Sequence, residues 1–159
     1  MYAGQTPAEK ADGWAFARLV EDHLYWCAMY DHWQVEEHWA EIKPMFFGDL
    51  PPDQRDMIAD GVRDQIIRDL HGQGIGRHSS SEVAMLGTED IQRLYDRLGD
   101  GPYWFGDRPT SADAAIAPHI LAIASDPLEG ALSKAIATKP SLIDYAKRVL
   151  EATIPDRLG

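Results

Sequence analysis

Apolar and aromatic residues recur at helical spacing along most of the chain. From Pro7 to about Trp39 they repeat every three or four positions, and no further proline occurs until Pro44. Apolar and polar residues do not alternate between turn residues, as they would in a strand. Later helix starts are predicted at Leu50, Ser79, Thr110, Asp126 and Pro140, and the last helix is predicted to end before Pro155. The pattern predicts an all-α bundle of about five to six helices in a single domain, residues 1–159.

The predicted first helix carries more aromatic surface than one buried face needs. Its a/d-type stripe consists of Ala15, Leu19, Asp22, Trp26, Met29 and Trp33. From Leu24 to Tyr30 the residues are apolar or aromatic nearly all round. Ten of the fifteen aromatic residues fall within the first 47 positions. Because an exposed aromatic face usually marks an interface or a ligand site, we predict one of these on this helix.

The stretch GDRPTSADAAIAP, residues 106–118, opens a helix that has no charged residue between Asp113 and Asp126. The first N–H groups of a helix have no acceptor within it, and water cannot serve them when the helix is buried. Thr110 and Asp113 have the spacing of a capping box, in which each side chain accepts from the other residue's amide. The negative charge also suits the positive end of the helix dipole. We therefore predict a capping role for this pair rather than a catalytic one.

The composition narrows the classes of partner. Asp and Glu number 26 against 15 Lys and Arg, which gives a formal net charge of −11. Nucleic acid and anionic membrane surfaces are poor partners for such a chain, because they require clustered positive charge. The longest apolar run, Ala114 to Ala124, is too short to span a bilayer. Because the chain contains one cysteine, Cys27, it cannot form an intrachain disulfide. We therefore expect a cytoplasmic protein, since disulfides are rare in the reducing cytosol.

A glycine-rich turn follows the predicted second helix. Gly74 and Gly76 precede Arg77 and His78. Glycines before a helix start can hold an anion, but a nucleotide-binding loop requires a preceding strand. We favour a structural tether in which Arg77 and His78 bind an acidic neighbour such as Glu21 or Asp22.

The sequence contains no motif that indicates a metal site or a reactive thiol. The chain contains six histidines, but no Glu-x-x-His of the kind that di-iron bundles use. His32 and Glu36 share a helix face, a pairing common by chance among so many acids. Cys27 lies in mid-helix, far from the helix N-terminus that would activate a thiol. We predict no metal site and no catalytic residue in this chain.

Three segments together resemble one superfamily. Gly-Asp-x-x-Thr-x-Ala-Asp is similar to the buried helix start in the C-terminal domain of glutathione transferases. EDHLYW (21–26), HGQGIGRHSSSEV (71–83) and LGDGPYWFGDRPTSADA (98–114) resemble the metaxin and failed-axon-connections branch, which has bacterial members. The resemblance runs from about Thr6 to Pro155 and implies a glutathione transferase C-terminal-like helical bundle.

The resemblance also implies a role for the aromatic face. In glutathione transferases this helix lines the apolar substrate pocket, so Tyr25, Trp26, Tyr30 and Trp33 are expected to bind a small apolar electrophile. Core or domain-interface packing is the alternative for each of them. Nothing in this sequence resembles the thioredoxin-like domain that holds glutathione. We therefore expect the sequence to be either a fragment that starts at the second domain of such a protein or a free-standing helical half.

Two functions follow from the resemblance. In the first, the chain is the helical half of a glutathione transferase-like protein and is inactive alone. It has no cofactor of its own, and it uses glutathione when a thioredoxin-like domain, missing or separate, is supplied. In the second, it is a non-enzymatic, metaxin-like scaffold that docks a protein partner or forms a homodimer.

Overall fold

A computed structural model describes residues 4–154, and every regular element in that range is helical. The elements in chain order are α1 (Pro7–Leu19), a π-helical segment (Val20–Leu24), α2 (Tyr25–Trp33), α3 (Glu36–Phe47), α4 (Pro52–Gln73), a 3-10 turn (Ile75–Arg77), α5 (Ser80–Leu98), α6 (Ser111–Ala124), α7 (Ala131–Ala137) and α8 (Pro140–Thr153). The all-α prediction is confirmed, with more helices than expected. α8 ends at Thr153, which agrees with the predicted end before Pro155.

The predicted first helix is divided at two places. The π-helical segment separates α1 from α2, and Val35 leaves helical geometry with φ −74° and ψ 121° to cap α3. Pro44 lies inside α3 instead of ending it, although it has no N–H for the helix ladder. The last short helix begins after Gly130, because Asp126 accepts from the Leu128 N–H in a turn of its own.

The buried face of this helical region differs from the predicted stripe. Asp22 and Ala15 of that stripe are exposed. The buried residues between positions 20 and 33 are Val20, Leu24, Cys27, Tyr30 and Trp33. The predicted stripe is out of phase with the core from its first residue, since Ala15 lies in α1, ahead of the π-helical segment, and Gly13 is the buried residue of that helix.

The described residues form two compact units. Residues 4–25 and 87–154 form unit 1, and residues 26–86 form unit 2. In unit 1, α6 lies at the centre and packs on α8, α1 and α7. Its buried Ile116, Ile120 and Ile123 contribute about 1.5–3 kcal/mol each through burial. The prediction of a single domain over residues 1–159 stays a prediction.

Unit 2 contains an aromatic cluster in which Trp33 and Trp39 are buried and Phe46 is exposed. The Trp33 ring centroid lies 5.2 Å from that of Trp39 and 5.9 Å from that of Phe46. Arg63 lies over the Trp39 ring at 5.1 Å, and its Nε donates to the Trp33 carbonyl at 2.8 Å. Its terminal nitrogen also pairs with Glu36 at 2.8 Å. One side chain of α4 is thereby bonded to the end of α2 and the start of α3.

Two glycines shape the turn that follows α4. Gly74 has φ +122°, a conformation that side chains disfavour, and its N–H donates to the Leu70 carbonyl. A Cβ on Gly76 would lie 2.7 Å from the His71 nitrogen and 2.8 Å from the Leu70 carbonyl carbon. Both are backbone atoms, which cannot rotate away. Gly76 is therefore required by close approach of the chain to itself.

We expect Gly76→Ala to lower the free energy of unfolding by about 1–3 kcal/mol, because the backbone must shift to admit the methyl group. Gly72→Ala is the matched control, since a Cβ there meets nothing within 4 Å and the residue lies in α4. Urea denaturation followed by circular dichroism measures both. Equal stability of the two variants would contradict the close-approach explanation.

Candidate functional site

The start of α6 is organised around one buried carboxylate. Asp113 is 0% exposed. Its Oδ2 accepts from the N–H and the hydroxyl of Thr110, each at 2.7 Å. Its Oδ1 accepts from the Trp104 N–H at 2.7 Å and the Tyr145 hydroxyl at 2.9 Å. Four donors and the positive end of the α6 dipole thus replace the water that the carboxylate has lost.

The same carboxylate joins three parts of unit 1. Trp104 belongs to the loop before α6, and Tyr145 belongs to α8. Burial raises the pKa of the Tyr145 hydroxyl, and the charge of Asp113 raises it further, so that hydroxyl stays a donor at every physiological pH. With all four hydrogen bonds used internally, the arrangement is suited to holding α6 in place rather than to proton transfer.

An apolar groove runs along the other side of α6. It has a volume of about 390 Å³ and lies between α6 and α8. The lining residues are Ala114, Ala117, Pro118, Leu121, Val149, Leu150, Thr153 and Ile154. The lining carries no charged side chain, although about a quarter of the whole chain (26%) is charged. Such a surface favours an apolar partner or ligand over water.

The exposed face of α6 is part of this groove. Ala114, Pro118 and Ala122 are four residues apart and all exposed. Pro118 lies inside the helix and has no N–H to give to the carbonyl of Ala114. A central helix that is apolar on its exposed side as well as its buried side is typical of a helix that another domain or subunit covers.

The four predicted pocket residues have different surroundings. Tyr25 is 41% exposed, and its ring meets that of His119 edge-on at 6.3 Å between centroids. Trp26 is half-buried. Tyr30 and Trp33 are each only 7% exposed, and the Tyr30 hydroxyl donates to the His78 carbonyl at 3.2 Å. Burial also raises the pKa of Tyr30. A substrate contact by these four residues stays a prediction.

The predicted tether also stays a prediction. Asp22 lies in unit 1, where it pairs with Arg18 at 3.6 Å. In unit 2, Arg77 Nε donates to the His71 carbonyl at 3.0 Å, which closes the glycine-rich turn on itself. His78 contributes its backbone carbonyl to Tyr30. The prediction that the chain binds no metal is likewise untested.

Sequence reasoning missed the partners that complete the α6 start. The spacing of Thr110 and Asp113 revealed the local bonds, but Tyr145 is 32 positions away and gave no local signal. The same holds for Arg97, whose Nε donates to Asp12 at 2.7 Å and whose guanidinium lies over the Trp104 ring at 5.3 Å. The one sequence signal for these contacts is Trp104, an aromatic residue in the loop that precedes the capping box.

Residues 87–149 match the family model described as glutathione S-transferase, C-terminal domain. This stretch is therefore similar to the C-terminal domain of glutathione S-transferases. The chain is also 35% identical over 142 residues to isoprene-epoxide–glutathione S-transferase of Rhodococcus sp. (strain AD45), which covers 87% of this chain and 59% of that protein. The resemblance inferred from the motifs is thereby confirmed.

Metaxin-type proteins are similar as well. Human metaxin-2 is 26% identical over 156 residues, which is 97% of this chain and 59% of metaxin-2. Failed axon connections of Drosophila melanogaster is 25% identical over 169 residues, 97% of this chain and 40% of that protein. The chain thus spans three fifths or less of these relatives. No solved structure matches it significantly. Within residues 4–154, no helix is both long and apolar enough to cross a membrane.

We expect Asp113→Asn to lower the free energy of unfolding of this glutathione S-transferase-type domain by about 2–5 kcal/mol. An amide keeps one acceptor oxygen but turns an NH₂ group toward donors that have no other acceptor. Tyr145→Phe, which removes one of the four bonds, is expected to cost about 1–3 kcal/mol.

Asp144→Asn is the control, since Asp144 is exposed on α8 and should change stability by less than about 0.5 kcal/mol. Thermal and urea denaturation give the three values. If Asp113→Asn were as stable as the Asp144 variant, the carboxylate would not organise the domain.

Proposed function

We propose that this chain is the helical half of a glutathione transferase-like protein. Its part is to supply an apolar ligand pocket and an interface for a thioredoxin-like domain, which holds and activates glutathione. The observation that carries this proposal is the uncharged groove between α6 and α8, exposed in a domain of the glutathione S-transferase family. In this proposal the isolated chain has no transferase activity.

The groove is suited to an interface because the two helices that form its walls are held in place by a buried hydrogen bond. Both helices that flank the groove are joined at a buried hydrogen bond, because the Tyr145 hydroxyl of α8 donates to the Asp113 carboxylate of α6. The groove walls are therefore positioned before any partner arrives, which lowers the entropy cost of binding. A covering domain would remove the exposed Ala114, Pro118 and Leu121 surface from water.

The chemistry is addition of the glutathione thiolate to an electrophilic carbon. The sulfur forms a bond to that carbon, and the electron pair of the broken bond leaves with a leaving group or with the oxygen of an opened ring. A proton then neutralises the resulting anion. The thioredoxin-like domain is assigned the thiolate, and the helical half is assigned the apolar part of the electrophile.

Tyr25 is the residue of the predicted pocket that the structure exposes most. Its ring offers an apolar wall, its hydroxyl offers a polar contact, and His119 of α6 lies at the ring edge. Trp26, Tyr30 and Trp33, the other residues of the predicted pocket, lie in unit 2, and Tyr30 and Trp33 are largely below the surface there.

A conjugation assay with glutathione and 1-chloro-2,4-dinitrobenzene tests the proposal. The isolated chain is expected to show no rate above the uncatalysed reaction. Fusion to the thioredoxin-like domain of a glutathione transferase is expected to produce turnover. Leu121→Asp, which puts a charge into the groove, should reduce that turnover at least tenfold by weakening docking.

Met45→Asp on α3 is the matched control, because Met45 is also exposed and apolar but lies outside the groove. In the fusion, Tyr25→Ala should raise KM for the electrophile more than it lowers kcat. Robust turnover by the isolated chain, or equal loss from the Leu121 and Met45 substitutions, would refute this assignment of roles.

A second candidate function is a metaxin-like binding module without enzymatic activity. Besides the similarity to metaxin-2, the surface of unit 2 favours it. Only Ala59 and Leu70 of α4 are buried, while Met57, Ile58 and Val62 on the same helix are exposed. An amphipathic helix with its apolar side in water is suited to pairing with a second copy of the chain. For both candidate functions we propose a cytoplasmic location.

For this second candidate we expect a homodimer in sedimentation velocity at micromolar concentration. Val62→Glu should dissociate it, because each copy would bury the same charge at a two-fold interface. Leu121→Glu should leave it intact. A strict monomer across the concentration range would remove the self-associating form of the binding-module function.

A further inference from the structure

The outer face of α4, within unit 2, carries a short apolar strip. Met57, Ile58 and Val62 are 72%, 37% and 38% exposed, and Gly61 is exposed among them. Residues three or four positions apart on a helix are neighbours on its surface, so these four residues form one continuous patch, which we call the α4 strip. An exposed apolar patch of this kind marks a place where another molecule can bind.

Gly61 is the residue of the α4 strip that internal packing does not explain. A Cβ at this position would meet nothing within 4 Å among the described residues, and the backbone is ordinary helix without a positive φ. Glycine in a helix interior costs about 1 kcal/mol relative to alanine. Since nothing inside unit 2 requires the missing side chain, the gap at Gly61 is suited to receive a side chain from outside.

Unpaired carboxylates lie at both ends of the α4 strip. Asp53 lies one turn before Met57, and Asp64 lies one turn after Gly61. Both side chains are exposed, and neither forms an ion pair within residues 4–154. A partner that brings positive charge to these two positions therefore gains ion pairs that unit 2 does not supply itself.

Cations close to the α4 strip already have partners of their own. Lys43 of α3 pairs with Asp56 and with Asp60, each at 3.0 Å. Arg68, which is exposed on α4, donates to the side-chain oxygen of Gln65 at 2.8 Å. The surface thus combines apolar side chains, a gap between them and negative charge on either side. Its complement is apolar in the middle and positively charged at the edges.

We propose that the α4 strip docks a cationic amphipathic helix of a partner protein. One apolar side chain of that helix lies in the gap at Gly61, and lysines or arginines beside its apolar stripe pair with Asp53 and Asp64. This inference rests on the second candidate function, the binding module, and names a different occupant for the same helix. A second copy of the chain brings the same carboxylates to the strip, so the two occupants differ in the sign of their charge.

Fluorescence anisotropy with labelled peptides tests the proposal on the full chain. The probe is a helical peptide of leucine, alanine and lysine, with leucine at every third or fourth position and lysine on both sides of the leucine stripe. Two matched peptides carry glutamate in place of every lysine, or serine in place of every leucine. We expect the lysine peptide to bind about tenfold more tightly than either of them. Its affinity should fall severalfold between about 0.05 M and 0.5 M salt, because salt screens exposed ion pairs.

Substitutions in the chain locate the binding. Asp53→Asn combined with Asp64→Asn should weaken the lysine peptide about fivefold. The matched control combines Asp144→Asn with Glu151→Gln, which removes the same charge from exposed positions on α8. Gly61→Gln should weaken binding as well, because its side chain fills the gap. Glutamine favours a helix more than glycine does, so this variant stays folded.

Equal affinity for the lysine and glutamate peptides would overturn the proposal, and so would equal effects of the α4 and α8 double substitutions or unchanged binding by Gly61→Gln. Sedimentation velocity separates the proposal from the homodimer. A monomer that binds the lysine peptide supports the cationic partner and removes only the self-associating form of the binding module. A homodimer that persists at saturating lysine peptide makes the second copy the occupant and overturns the proposal.

Discussion

The structure of unit 1 depends on an ionised carboxylate kept away from water. Burying a charge is costly unless the lost hydration is replaced, and Asp113 has four hydrogen-bond donors and a helix N-terminus for that purpose. Because those donors come from the loop before α6, the capping residue and α8, the cost is met only when all three are in place. The carboxylate therefore specifies a single arrangement of α6 and its neighbours, in addition to stabilising it. The groove between α6 and α8 has defined walls for this reason.

The sequence predicts local interactions much better than distant ones. Thr110 and Asp113 are three residues apart, and the alternation of polar caps with apolar runs is enough to indicate helices. Tyr145 and Arg97 lie far along the chain from the residues that they bind, and nothing in a single sequence indicates such pairs. The helix starts at Thr6 and Ser79 resemble that at Thr110. In each, the backbone N–H and the hydroxyl donate to the acidic side chain three residues later, which is Glu9 for Thr6 and Glu82 for Ser79.

The predicted stripe on the first helical region is out of phase with the core from its start. Ala15 of α1 is already exposed, whereas Gly13 of α1 and Val20 and Leu24 of the π-helical segment are buried. The presence of Asp22 in an otherwise apolar stripe was the sign that the register was wrong. With the register as observed, Tyr30 and Trp33 belong to the core, and Tyr25 becomes the exposed aromatic residue of the region. The aromatic surface that prompted a pocket hypothesis is thus divided between packing and exposure.

Pro118 adds apolar surface to the groove at a point where α6 has one backbone donor fewer. A proline has no N–H to give to the carbonyl of Ala114 four residues earlier. A partner that covers the groove therefore meets no backbone N–H at Pro118 that would need an acceptor.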